Sequence, residues 1–262
     1  MRLDPQSRYD LPAVFGPSPF PEVTSMGSVQ TLSVPFLTEP AAMAELLPPT
    51  FRPADEPVVT VSHTMNREVD YMGGRGYNIA RVSFAAVFTG EEEILAAPYA
   101  PVIWESDAAP ILLGRERGGY AKIFGIIPDL LDDGDKLSFE CYEYEHRLLR
   151  GDVTEMTEIT GGELAELQQA AANAVSLGWK YIPGLGDEPD ADYPLALPAQ
   201  YSYDRAWRGT GTATFDLVGS ADAPYSGHII RALAALPMKE WRPATLARGS
   251  MKLPRYAARR LR

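Results

Sequence analysis

Lys122 has the setting that points most directly to chemistry. It stands behind the glycine-rich turn Gly114-Arg115-Glu116-Arg117-Gly118-Gly119-Tyr120-Ala121 and ahead of the apolar run Ile123-Phe124-Gly125-Ile126-Ile127-Pro128. An ammonium group among apolar neighbours loses solvation, so its pKa falls and a free amine becomes available near neutral pH. Such an amine attacks ketones and forms imines. The same spacing also suits a lysine at the mouth of a strand whose ammonium reaches out to water. Glu116 lies across a Gly-Gly pair from the lysine, so it either returns to the pocket as a proton carrier or pairs with Arg115. Tyr120 and Tyr77 are candidates for hydrogen-bonding a substrate.

Other chemistries find no support. His63, His146 and His228 are far apart, with no carboxylate or cysteine at metal-ligand spacing, and each reads as structural. No G-x-S-x-G elbow, P-loop or strand-linked G-x-G-x-x-G is present. Asp132-Asp133-Gly134-Asp135 has the composition of a calcium loop but lacks the length and the distal glutamate, so it reads as a turn. Gly73-Gly74-Arg75-Gly76 reads as a hairpin connection. The single cysteine, Cys141, excludes an internal disulfide.

The 262 residues have a net charge of −11 and a pI near 4.8, which argues against nucleic acid as a partner. The exception is the tail from Arg255 to Arg262, with four arginines, expected as a solvated or subunit-facing helix end. No apolar run approaches the roughly 20 residues that span a membrane, and Met1 to Pro21 lacks the features of a signal peptide. The expectation is a cytoplasmic protein with no membrane partner.

Several elements must position the lysine. Residues 1–25, rich in proline, predict an extended arm. Ser28–Phe36, Pro57–Met65 and Tyr77–Phe88 alternate as strands, the last with Ala80, Val82, Phe84, Ala86 and Phe88 on one face. Its other face, with Tyr77, Ile79, Arg81 and Ser83, suits either a pocket wall or a solvated surface. Thr38 is placed to cap a short helix that Pro48-Pro49 stops. Tyr99–Glu105 and Pro110–Leu113 are expected as strands leading into Gly114. Lys136–Leu149 alternates with a change of phase that implies a bulge near Cys141. Leu164–Leu177 has helical spacing with Gly178 as its cap, Trp179–Pro183 reads as a strand, and Gly184–Pro198 as a long loop. Gln200–Val218 alternates again, and Ser226 is placed to cap a helix to Ala235.

The lysine segment resembles that of the acetoacetate decarboxylase-like superfamily, Gly-Arg-Glu-x-x-x-Tyr/Phe-Pro-Lys-Lys, whose first lysine forms the Schiff base. Gly114, Arg115, Glu116, Tyr120 and Lys122 fall on it in register. Ala206-Trp207-Arg208-Gly209, Leu236-Pro237-Met238-Lys239-Glu240 and Leu253-Pro254-Arg255 are similar to further family segments in the same order. The resemblance implies one domain over residues 1–262, mostly antiparallel β, built as a closed cone-like barrel with short helices outside. It also implies a homo-oligomer and catalysis by Lys122 without cofactor or metal. Glu116 is the implied second catalytic residue, and Arg115, Tyr120, Tyr77 and Ile79 are the implied substrate contacts.

Departures from the pattern bear on the reaction. Ala121 replaces the proline and Ile123 the second lysine, so like-charge repulsion is missing and desolvation has to lower the lysine pKa. Ile79 stands where decarboxylases carry an acidic residue, and Val29 or Gln30 where they carry an arginine. Similar departures occur in branches that include aldolase-dehydratases acting on pyruvate. The sequence therefore favours condensation of a small keto acid with an aldehyde, followed by loss of water. Decarboxylation of a β-keto acid and a non-catalytic binding protein on the same fold are the alternatives.

Overall fold

The computed structural model describes residues 3–254 and 257–262. In chain order the strands are β1 (Val23–Leu37), β2 (Phe51–Pro53), β3 (Val58–Val69), β4 (Tyr77–Thr89) and β5 (Ile94–Glu105). After the glycine-rich turn come β6 (Lys122–Phe124), β7 (Leu131–Asp132), β8 (Lys136–Glu143) and β9 (His146–Ile159). The remaining strands are β10 (Ala174–Ile182), β11 (Ala191–Phe215), β12 (Glu240–Trp241), β13 (Ala244–Pro254) and β14 (Arg259–Arg260). Helices α1 (Pro40–Ala44), α2 (Ala108–Leu113), α3 (Gly161–Ala172) and α4 (Gly227–Ala234) lie between them.

The order β5-β4-β3-β1-β13-β11-β10 returns to β5 through the Leu177–Tyr99 pair, so the sheet closes on itself. Every pairing in this ring is antiparallel except that closing one. Short β6 runs parallel to β5 at its carboxyl end and extends the wall there. β9 and β8 continue from the far half of β11, away from the ring. This is the mostly antiparallel, closed β architecture with peripheral helices that the resemblance implies and the alternation supports.

The period-2 pattern divides the strands into two faces. Ala80, Val82, Phe84, Ala86 and Phe88 join the main core outside the ring, with Phe139, Cys141 and Leu149 of the β8–β9 hairpin and Ile230 of α4. Burying each such large side chain contributes roughly 1.5–3 kcal/mol. Tyr77 and Ile79 turn the other way and meet Tyr201 of β11 and Met251 of β13, strands that are not neighbours of β4. Trp104, fully buried, points into the outer core and donates its indole N–H to Ser226 Oγ at 3.0 Å. Alternation then turns the next residue, Glu105, inward.

Some expectations change. Pro110–Leu113 belongs to helix α2, not a strand, because Asp107 caps it by accepting from the Ala109 amide at 2.8 Å. The long helix ends at Ala172; Ala174–Ile182 pairs with Ala191–Ala199, so the expected helix end and the second half of the expected loop are strand, while residues 183–190 remain a loop. Thr38 is not the cap of α1, which follows Glu39, and Ser226 uses its hydroxyl on Trp104 instead of capping. Lys136–Leu149 is a hairpin, with the expected bulge at Cys141/Tyr142. The arginine tail forms strand β14 against β11 where a helix end was expected, and Arg255 lies outside the described residues. Most of the arm precedes β1 without regular structure, apart from a turn at Ala13–Phe15, and it folds back so that Asp10 pairs with Arg117.

His63 on β3 is 1% exposed and its ring N–H donates to the Pro128 carbonyl at 2.9 Å. Burial lowers its pKa from 6.5 to about 4. The unfolded chain therefore takes up a proton before the folded one does. Stability should be full above about pH 6.5 and decline toward about pH 4, by about 3 kcal/mol from this group. Thermal melts across that range are expected to show the decline. His63→Gln, which keeps a donor but does not titrate there, should flatten this part of it.

Candidate active site

The glycine-rich turn is a single π-helical turn, Gly114–Gly118, continuing directly from α2. Gly119 ends it at φ +65°, with Lys180 and Leu195 so close that an added Cβ would fall 2.5 Å from Lys180 Cβ. Only glycine fits both the left-handed backbone and the close approach. The Tyr120 amide then donates to the Gly114 carbonyl at 3.2 Å and the Lys122 amide to the Tyr120 carbonyl at 2.8 Å. These bonds fold the chain tightly between turn and strand, and β6 pairs Lys122 with Ile103.

Lys122 is 8% exposed and Glu105 is 0% exposed. The ammonium Nζ lies 2.8 Å from Glu105 Oε1 and donates to the Pro110 carbonyl at 3.1 Å. It stands 5.0 Å from the centre of the Tyr120 ring. The expected burial is present, but the lysine shares it with a carboxylate. Burial raises the Glu105 pKa above the ordinary carboxylate range, with the Lys122 charge pulling it down.

A cavity of about 60 Å³ opens at Lys122. Met26, Tyr71, Tyr77, Tyr120, Leu197 and Leu253 help to wall it, an apolar and aromatic lining of the kind that holds small organic molecules. Burial also raises the pKa of the Tyr77 and Tyr120 hydroxyls, which stay protonated as donors at neutral pH. Among the described residues no cluster of histidine, cysteine and carboxylates suits a metal ion.

The other sequence candidates separate. Tyr77 and Tyr120 join Lys122 at the cavity. Ile79 packs beside Tyr77 inside the ring, as does Val29, so of the two positions aligned with the family arginine it is Val29 that joins this interior cluster. Glu116 is a correction: it is exposed and lines a separate groove with Tyr9, Asp10 and Lys180, because the π-turn directs it away from the cavity. Arg115 is another, since its guanidinium donates to the Lys122 backbone carbonyl at 2.8 Å and so holds the strand in place. No ion pair joins Arg115 to Glu116 among the described residues.

Two interior residues were not singled out from the sequence. Glu105 read as the last residue of an apolar strand, yet it is the cross-strand partner of Ile79. Arg81, left open between pocket and solvent, lies inside, where its charge acts on the Tyr120 and Tyr201 hydroxyls. Its Nη2 donates to Ser176 Oγ at 3.3 Å, its Nε is buried without a partner, and it forms no ion pair among the described residues.

The family model described as acetoacetate decarboxylase matches residues 10–253. The chain belongs to this family. Solved structures agree on the fold. A structure from studies of acetoacetate decarboxylase superposes with a TM-score of 0.76 at 17% identity, covering 95% of this chain and 93% of its own. Acetoacetate decarboxylase from Legionella pneumophila gives 0.75 at 15%, covering 94% and 92%. The enduracididine biosynthesis enzyme MppR, complexed with pyruvate, gives 0.67 at 17%, covering 94% and 91%. Comparison with curated proteins finds no sequence match.

Within this family site, Gly114 leaves room for the lysine. A Cβ there would fall 2.7 Å from Lys122 Nζ and 2.6 Å from its Cδ. Gly114→Ala should fold, since its backbone is helical and the obstacle is the end of a flexible side chain. The displaced amine should slow borohydride trapping of a keto acid by at least roughly tenfold, read by intact-protein mass spectrometry.

Proposed function

We propose that this protein is a Schiff-base-forming lyase in which Lys122 attacks a small keto acid. The observation that carries the reading is the Lys122 amine held beside Glu105 at the wall of a tyrosine-lined cavity. Attack on the ketone gives an iminium that serves as an electron sink. With pyruvate, the iminium loses a methyl proton to become an enamine, the enamine attacks an aldehyde, loss of water gives a conjugated iminium, and its hydrolysis releases the conjugated keto acid and the free lysine. Tyr77 and Tyr120 donate to substrate oxygens in this scheme. Arg81, an interior cation without a carboxylate partner among the described residues, favours a substrate that carries negative charge.

Pyruvate condensation is preferred because Ile79, and Val29 or Gln30, align with the positions where decarboxylases carry an acid and an arginine. MppR is similar in fold, and it has been captured with pyruvate and with the condensation product of pyruvate and imidazole 4-carboxaldehyde. Decarboxylation of a β-keto acid is the second reading, favoured by the buried carboxylate beside the lysine. The chain is also read as a homo-oligomer, on the resemblance and on the exposed Leu11, Val14 and Phe15 of its arm.

The test offers the protein acetoacetate alone and, separately, pyruvate with an aromatic aldehyde. Absorbance of the conjugated product is expected from the second mixture. Rapid carbon dioxide release from acetoacetate with no condensation would put the decarboxylase reading first. Lys122→Met should fold, lose product formation and lose borohydride trapping altogether; trapping retained in this variant would move the nucleophile elsewhere.

A further inference from the structure

We propose that Glu105 is the proton carrier for imine formation at Lys122, acting from the end of β5. The inference deepens the Schiff-base reading and rests on it. Glu105 Oε1 is 2.8 Å from Nζ, the atom that must lose protons for the reaction to proceed. This is within the reach that general acid–base catalysis needs. The ammonium has three N–H donors; one is given to the Pro110 carbonyl, and Glu105 Oε1 lies within ion-pair distance of Nζ.

A purely structural pair is a poor account of this carboxylate. Removing two charges from water costs several kcal/mol per ion and is offset only when geometry and further hydrogen bonds satisfy both. Both carboxylate oxygens of Glu105 are buried without a hydrogen-bond partner among the described residues, Oε1 having only its ion contact to Nζ. The ionisable groups that act on the carboxylate are Lys122 on β6 and Asp107 just beyond β5, and its charge acts in turn on Tyr77 of β4 and on Tyr120. Only one of these is a cation. A carboxylate held in this way accepts a proton readily, as its raised pKa also indicates.

The proton steps balance. The carboxylate takes a proton from the ammonium, giving a neutral amine and a carboxylic acid. The amine lone pair forms the C–N bond as the ketone π bond breaks, and one N–H proton passes to the resulting oxyanion to give a neutral carbinolamine. The acid then gives its proton to the carbinolamine hydroxyl. Water leaves, the nitrogen lone pair forms the C=N bond, and Glu105 is again a carboxylate beside the new iminium. In the pyruvate reaction that carboxylate can next take the methyl proton as the enamine forms.

The experiment measures the rate of borohydride trapping of pyruvate from about pH 5 to pH 9 for the wild-type chain, Glu105→Gln and Glu105→Asp, with thermal melts of each. Glu105→Gln is expected to trap roughly 100-fold more slowly and to lose one limb of the pH profile. Glu105→Asp, one methylene shorter, should fall between it and the wild type. A folded Glu105→Gln that traps at the wild-type rate with the wild-type profile would overturn the role of Glu105 and leave the Schiff base standing. If Glu105→Gln shows no cooperative melt, Glu105→Asp decides, and a wild-type rate and profile there overturns the proposal. A wild-type chain that pyruvate and acetoacetate both fail to label overturns the Schiff-base reading and this inference with it.

Discussion

Lys122 Nζ and Glu105 Oε1 meet at 2.8 Å inside the ring, and the surrounding structure has to hold that geometry. Neither charge has much water, and attraction offsets the loss only while the two stay in register. Glu105 is fixed from behind, because Trp104 before it is locked into the outer core. Lys122 is fixed along its strand by three paired positions on β5 and by Arg115 at its own carbonyl. The segment that follows is tied down as well. Asn78 donates to the Ile127 carbonyl at 2.9 Å, His63 to that of Pro128, and Arg67 pairs with Asp129 at 2.6 Å. These outer-face contacts hold the segment that follows the lysine strand, so they steady an interior pair that they do not touch.

Much of this was legible in the sequence, and what was not has identifiable causes. Alternation along residues 77–88 reports which face is buried, so the outer core of β4 could be read directly. Lys122 stood out because Gly114, Arg115, Glu116, Tyr120 and Lys122 fall in register on the family segment, whereas the glycine turn and apolar run alone also suit a solvated lysine. Glu105 was not, because its partner is set by strand register and by the parallel pairing of β6, neither of which leaves a local pattern. Glu116 was misplaced for a similar reason. Two glycines suggest a hairpin that returns the chain, whereas α2 feeds the same residues into a helical turn. Residues 174–182 combine leucine, valine and alanine at a spacing that suits helix or strand alike. The partner strand at 191–199 decides it, through backbone hydrogen bonds that no helix there would make.

The mouth of the cavity joins the arm to the site. Arg117 lines both the cavity and the neighbouring groove, and it pairs with Asp10 while its Nη2 donates to the Tyr9 carbonyl at 2.7 Å. On the groove's other side Lys180 donates to the Glu116 carbonyl at 2.7 Å. The π-turn is thus held on one side by the arm and on the other by β10. Its inner face presents Gly114 to the lysine and its outer face carries Glu116 toward solvent. One short turn separates the residues that can touch a substrate from those that hold the entrance.

Charge inside the ring bears on the proposed substrate. Among the described residues, Lys122 and Glu105 cancel and the interior cation left over is Arg81, whose field reaches Tyr120 and Tyr201. Tyr77 and Tyr120 stay neutral, so the interior set carries one net positive charge before substrate enters. A keto acid with one carboxylate brings that sum to zero, and converting its ketone to an iminium keeps it there, because the lysine charge passes to the new C=N⁺ group. A neutral ketone would leave the charge uncompensated, and a dicarboxylate would reverse it. In an apolar cavity such imbalances are expensive. On the proposed Schiff-base reading, the balance of Lys122, Glu105 and Arg81 is met by a ketone that carries a single carboxylate.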